Sequence, residues 1–341
     1  MTATRDFQTD YQTATERCGL LDRSERGKLA LTGSGAKEFL QGQVSNDVLA
    51  LTPGTGCYAA FLTPKGKMLG DLRILDAGDE ILLDTERSAL QELFNMISRF
   101  SLGHEVELHK RTLQRGLLSL IGPASDDVAS GASATGAAAI PAGGAATDSG
   151  ASFLELPADT EYVHVVGQIG PTPVRLIRTD VGIDVLCDAE ATEMVSAALL
   201  DAGAAEVGEA AAECVRVEHG RPLYGVDIDG TVIPQEAGLN DRAVSFTKGC
   251  YVGQETVARL HYRGKPNRQL RGLRSSEKLE IGTVLTHEEH QVGSVTSSAS
   301  SPRLGEIALA LVRREAPPGT VVRAGASARA EVVALPFPAD G

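Results

Sequence analysis

Lys248-Gly249-Cys250-Tyr251-Val252-Gly253-Gln254-Glu255 sets a cation, a thiol and an aromatic ring in a glycine-bounded segment that runs into a helix. From Gln254 to Tyr262 no Gly or Pro interrupts the chain, and Val257 and Leu260 fall on one helical face. Cys250 then stands at or just before a helix N-terminus, two residues from Lys248. Helix amide groups and a nearby cation both favour thiolate over thiol, so an exposed Cys250 is expected to be the working thiol, with Lys248 as its activator. The alternative is a small buried hydrophobe.

Outward from this segment, bulk composition narrows the class. The chain has 341 residues, 42% of them hydrophobic, enough for two or three domains with a real core. Its formal net charge is −13, which argues against general nucleic-acid binding through phosphates. No apolar run is long enough to span a membrane, and the first fifteen residues carry Asp6 and Asp10 without an apolar stretch, so no signal peptide is read. The five cysteines are scattered, with no Cys-x-x-Cys pair. A disulfide framework and a self-contained iron–sulfur cluster are both unexpected, which suits a cytoplasmic protein. The seven histidines show no paired ligand spacing, and no metal site is expected.

The pattern along the chain predicts an α+β protein. Lys28 to Thr32 reads as a strand, followed by a Gly33-Ser34-Gly35 turn and a short helix; Glu38 replaces the third glycine of a dinucleotide fingerprint, so a tight turn is preferred to a nucleotide site. Tyr58–Thr63, Met68–Leu75 and Ile81–Asp84 alternate as strands, and Leu90, Leu93, Phe94, Ile97 and Phe100 recur at helical spacing. Leu113–Ile121 supplies another strand. The Ala/Gly/Ser-rich segment 130–150 reads as a flexible loop, with a degenerate helix near Ala124 to Ala129. Strands at Phe153–Leu156, Tyr162–Val166, Val174–Arg178 and Ile183–Leu186, a helix over Ala189–Ala202 and a helical stretch Glu209–Arg216 repeat the sheet-plus-helix theme. The expectation is two ferredoxin-like sheet-helix lobes over residues 1–267 and a C-terminal antiparallel β-barrel over 268–341, where short strands alternate with Gly and Pro turns.

The octapeptide resembles the signature K-G-C-[FY]-x-G-Q-E of the YgfZ-type folate-binding proteins, relatives of the glycine cleavage T-protein, an aminomethyltransferase. Gln41 to Asp47, and Gly293 to Ser297 with Leu304-Gly305, resemble further stretches of the same families. The resemblance implies a tetrahydrofolate-binding protein that supports assembly or repair of iron–sulfur enzymes, including tRNA-modifying ones, with such enzymes as partners. Arg216-Val217-Glu218-His219-Gly220 resembles R-x-E-x-G, whose glutamate recognises the pterin, so Glu218 is expected to bind the ligand; a carboxylate suits the paired N–H donors of a pterin. Tyr251 and Arg259 are expected beside it. Lys65 to Leu72 resembles the G-G-x-x-D-D hairpin that carries the T-protein aspartate. Gly70-Asp71 retains one carboxylate of that doublet, which leaves Asp71 either a folate contact or a strand-edge carboxylate and weighs against aminomethyl transfer.

Two other functions remain open, a folate-dependent aminomethyltransferase and an interaction module that has the fold without folate. Lys248 to Arg274 holds seven Lys or Arg and one acid, Glu255, a local charge of 7 − 1 = +6. That segment is either a solvated basic face or the receiver of a folate polyglutamate tail or acidic partner.

Overall fold

A computed structural model describes residues 6–136 and 155–337. Helix α1 (Phe7–Glu16) comes first. Asp6 caps it, accepting from the Gln8 amide, and Tyr11 and Ala14 turn inward. Strand β1 (Gly19–Asp22) follows. The first lobe is then built from β2 (Gly27–Thr32), α2 (Ala36–Gln43), β3 (Gly56–Leu62), β4 (Met68–Asp76), β5 (Ile81–Thr85), α3 (Leu90–Phe100) and β6 (Glu107–Lys110). Its five strands pair antiparallel in the order β3-β4-β5-β2-β6. Phe39, Leu40, Leu93 and Ile97 from the two helices pack with Leu31, Phe61, Leu72 and Ile74 of the sheet. Of the stripe expected on α3, Leu93 and Ile97 are buried and Leu90 and Phe94 partly so, while Phe100 at the end of the helix is exposed.

The second lobe comprises β7 (Arg115–Ile121), α4 (Ser125–Gly136), β8 (His164–Ile169), β9 (Thr172–Thr179), β10 (Gly182–Asp188), α5 (Thr192–Asp201) and β11 (Ala205–Glu206). With β1 it forms a six-stranded sheet, β11-β1-β7-β10-β9-β8, in which only the β1–β11 pair is parallel. Helix α4 corrects two expectations. It is longer than the Ala124–Ala129 helix, and it occupies the start of the segment read as loop, because Val128, Ala129 and Ala132 bury against this lobe's core. The remainder of that loop, 137–150, lies outside the described residues. Of the expected strand Phe153–Leu156, only Glu155 and Leu156 are described, and they are not in a strand.

The sheets of the two lobes meet face to face through Leu75 and Leu82 on one side and Ile177 and Leu186 on the other. A buried ion network crosses the same interface. Arg73 on β4 pairs with Asp84 on β5 and reaches Asp184 on β10, while Arg26 forks onto Asp84 at 3.0 Å. The side chains of Arg73 and Asp184 are about one-tenth exposed, so the network is well shielded from water.

Helix α6 (Glu209–Glu218), the short α7 (Asn240–Ala243) and α8 (Gln254–Arg263) connect the lobes to the barrel. Strands β12 (Arg268–Ser275), β13 (Val284–His287), β14 (His290–Ser301), β15 (Gly305–Arg313), β16 (Val321–Ala324) and β17 (Ala328–Val333) close in the order β12-β15-β14-β13-β16-β17. Leu273, Leu285, Val312 and Val332 fill its interior. Among the described residues no helix is long and apolar enough to cross a membrane.

Candidate functional site

The lobes, α1, α6 and one barrel hairpin enclose a cavity of two adjoining compartments. The inner one, about 240 Å³, is lined by Tyr58, Asp71, Arg73, Tyr162 and Arg242, among others. The outer one, about 740 Å³, is lined by Tyr11, Arg178, Glu218 and Arg303, among others. Thr179, Asp180, Val181, Val215 and His219 line both, so the compartments form one space. The outer compartment alone has the volume of a small-molecule site, and the inner one extends it. Two of the expected site residues, Asp71 and Glu218, are brought to this cavity from positions distant in sequence.

Asp71 sits on β4 opposite Ala60, 5% exposed. The Tyr58 hydroxyl donates to its Oδ2 at 2.5 Å. Burial raises the Asp71 carboxyl above its ordinary range, against the opposing pull of the Tyr58 bond and the Arg26 charge. Burial and the same carboxylate lift the Tyr58 phenol. Arg242 stacks over the Tyr58 ring at 5.2 Å and donates to the Tyr162 hydroxyl at 2.9 Å. Tyr162 holds this position with φ +69°, a left-handed backbone that a tyrosine adopts at a cost.

Strand alternation changes how the Gly70-Asp71 doublet is read. Asp71 lines the cavity, whereas a Cβ on Gly70 would lie 2.5 Å from the Phe61 ring and 2.6 Å from the Ala89 Cβ, inside the first lobe's core. The missing carboxylate would therefore have pointed away from the site, and its absence says nothing against transfer chemistry. Gly70→Ala is expected to overpack this core and cost about 1–3 kcal/mol, measurable as a lower urea midpoint at unchanged slope.

Glu218 lies in the last turn of α6, two residues beyond the predicted end of that helix. A carboxylate there opposes the helix dipole and needs donors. Three are present. The Tyr11 hydroxyl donates to Oε1 at 2.7 Å, the Ser301 hydroxyl donates to the same oxygen, and Arg303 Nη2 donates to Oε2 at 3.0 Å. Sequence reading missed Tyr11, Ser301 and Arg303. The first had a signal, the Phe7, Tyr11, Ala14 spacing of an amphipathic helix behind a capping aspartate.

The signature segment is arranged differently from the expectation. Lys248 does not serve Cys250. Its ammonium is buried and donates to the carbonyls of Gln41, Val44 and Asn46 at 2.6, 2.7 and 2.8 Å, closing the C-terminal end of α2. Burial lowers this lysine to about 8, against the pull of Asp47. The Tyr251 ring lies 5.0 Å from the same ammonium in a buried apolar cluster, and does not line the cavity. Gly253 precedes α8 with φ +85°, and a Cβ there would meet the Thr63 carbonyl at 2.6 Å. Three of the eight signature residues thus fasten α8 to the first lobe. Lys248→Ala is expected to cost about 1–3 kcal/mol by leaving these carbonyls unpaired, which chemical denaturation would detect.

Cys250 is exposed, while Cys18, Cys187 and Cys214 are buried and Cys57 is partly so. Burial pushes the Cys18 thiol up to about 11 and those of Cys57 and Cys214 up to about 12. Limiting iodoacetamide is therefore expected to alkylate Cys250 first, as read by peptide mass spectrometry; earlier labelling of a buried thiol would contradict this. Neither Cys250 nor the exposed Arg259 lines either compartment. The basic segment likewise stays off the cavity wall, and Arg268 is paired with Glu236 at 3.3 Å.

Comparison with known proteins places both ends of the chain. Residues 2–149 match the GCVT N-terminal domain, and residues 268–338 match the glycine cleavage T-protein C-terminal barrel domain. An aminomethyltransferase of Halothermothrix orenii is 28% identical over 96% of this chain and 90% of its own length. The crystal structure of the glycine cleavage system aminomethyltransferase T from Bartonella henselae shares the fold with a TM-score of 0.81. It is 23% identical and the match covers 97% of this chain and 89% of that one.

Proposed function

We propose that this chain, which carries both matched domains of the glycine cleavage T-protein superfamily, binds tetrahydrofolate in the cavity between its lobes. The observation that carries the reading is the pair of buried carboxylates, Asp71 and Glu218, facing two compartments of one space. Glu218 suits the N–H donors of a pterin, and a lining of carboxylate acceptors with phenol and guanidinium donors matches a ligand with both N–H and carboxylate groups. A bound tetrahydrofolate would supply amine nitrogens able to accept a one-carbon unit. Asp71, held by Tyr58 away from bulk water, is the chain's own group for positioning or moving a proton there.

Two activities are compatible with that ligand. In the accessory reading, similar to YgfZ-type proteins, folate occupancy prepares the protein to support iron–sulfur enzymes, including tRNA-modifying ones, and Cys250 works outside the cavity. Its exposure and its position outside the cavity lining favour this arrangement. In the aminomethyltransferase reading, Asp71 is the catalytic group, and its burial beside Tyr58 favours that role. An assay of one-carbon transfer to tetrahydrofolate from an aminomethyl donor separates them. Turnover lost in Asp71→Asn and kept in Cys250→Ala supports the transferase. No turnover in the wild type, with iron–sulfur enzyme activities lost in a Cys250→Ala strain, supports the accessory role.

A further inference from the structure

The three donors on Glu218 are not equivalent. Tyr11 and Ser301 are buried, neutral and both bonded to Oε1. Ser301 is also fixed, because its hydroxyl accepts the Arg303 and Leu304 amides at 3.1 and 2.8 Å and so holds the β14–β15 turn. Among the described residues Oε2 pairs with Arg303 alone, whose side chain is 57% exposed while that of Glu218 is 2% exposed. A buried carboxylate strongly resists losing its counter-charge, whereas an exposed guanidinium loses little on returning to water. Arg303 and Glu218 both line the outer compartment, so a ligand reaching Oε2 meets Arg303 there first.

We propose that Arg303, at the tip of the barrel hairpin, is a displaceable counter-ion that occupies the ligand-facing oxygen of Glu218 until an N–H donor of the ligand replaces it. It is a specificity-determining residue. A ligand must bring an N–H donor or a cation to Oε2, since one that merely expels Arg303 leaves the buried charge unpaired. The amino and ring N–H groups of a 2-amino-4-oxopteridine meet that demand, and an acceptor-only edge fails it. The barrel thereby senses occupancy, because the released side chain belongs to its hairpin. This inference rests on the proposed folate occupancy.

The test is titration of the wild type, Arg303→Ala and Arg303→Gln with tetrahydrofolate by equilibrium dialysis at low and high salt. Removing the competitor is expected to tighten binding roughly tenfold in Arg303→Ala, with Arg303→Gln intermediate. The gap to the wild type is expected to narrow as salt screens the exposed ion pair. The apo form of Arg303→Ala is expected to melt lower and gain more from ligand. Should Arg303→Ala not fold, Arg303→Gln carries the comparison. Equal or weaker binding by the variants, with the wild type binding, overturns the counter-ion role and leaves the folate reading standing. Absence of binding by all three proteins overturns both.

Discussion

Arg73→Ala is expected to destabilise the protein by about 3–5 kcal/mol, the cost of removing one member of a buried ion network and leaving its partners uncompensated. Arg73 is a charged link between the lobes, pairing with Asp84 in one sheet and Asp184 in the other. Burial pushes the Asp84 carboxyl up, but Arg26 and Arg73 outweigh it and hold the group at about 2. A carboxyl depressed on folding contributes stability that is complete above the unfolded value of about 3.9 and is lost as pH falls towards 2. The wild type is therefore expected to lose stability between about pH 5 and pH 2. In Arg73→Ala that acid-dependent part should shrink, because Asp84 keeps only Arg26. Urea denaturation at pH 7 and at about pH 2.5, inside the window of loss, measures both effects. A variant within 1 kcal/mol (about one-third of the smallest loss expected) of the wild type would mean that the two sheets are held by their apolar contact alone.

Glu218→Gln is expected to weaken tetrahydrofolate binding roughly 10- to 100-fold. Hydrogen bonds to a charged group contribute about 1.5–3 kcal/mol, and each 1.4 kcal/mol is tenfold in affinity. The substitution keeps the shape and removes the charge. It also places an N–H donor against donors already present, since Tyr11, Ser301 and Arg303 all point at this group. Part of the loss should therefore appear as a lower melting temperature of the ligand-free protein. Calorimetric titration together with a melting curve separates the two contributions. Unchanged affinity would take Glu218 out of the site.

The barrel was the most legible part of the chain. Gly and Pro turns punctuate most of this region, and the antiparallel barrel expected over 268–341 closes from six strands between Arg268 and Val333. Asp71 and Glu218 could be singled out because each sits in a local motif, and both line the cavity. What the sequence hid depends on long-range pairing. The Arg303–Glu218 bond joins residues 85 positions apart, and the Lys248 ammonium meets carbonyls more than 200 positions away. A lysine two residues from a cysteine looks like an activator until three distant carbonyls claim its protons. The meaning of Gly70 was hidden for a different reason. A doublet on a strand sends neighbouring side chains to opposite faces, so sequence adjacency misleads about shared chemistry.

The occupancy of the cavity is the claim on which the functional account turns. Isothermal titration of the purified protein with 5,6,7,8-tetrahydrofolate under anaerobic conditions measures it most directly. The account predicts saturable binding of one equivalent per chain, weakened in Glu218→Gln and altered in Asp71→Asn. No saturable heat from a folded wild-type protein, or full binding by a Glu218→Gln, Asp71→Asn double variant, would contradict it.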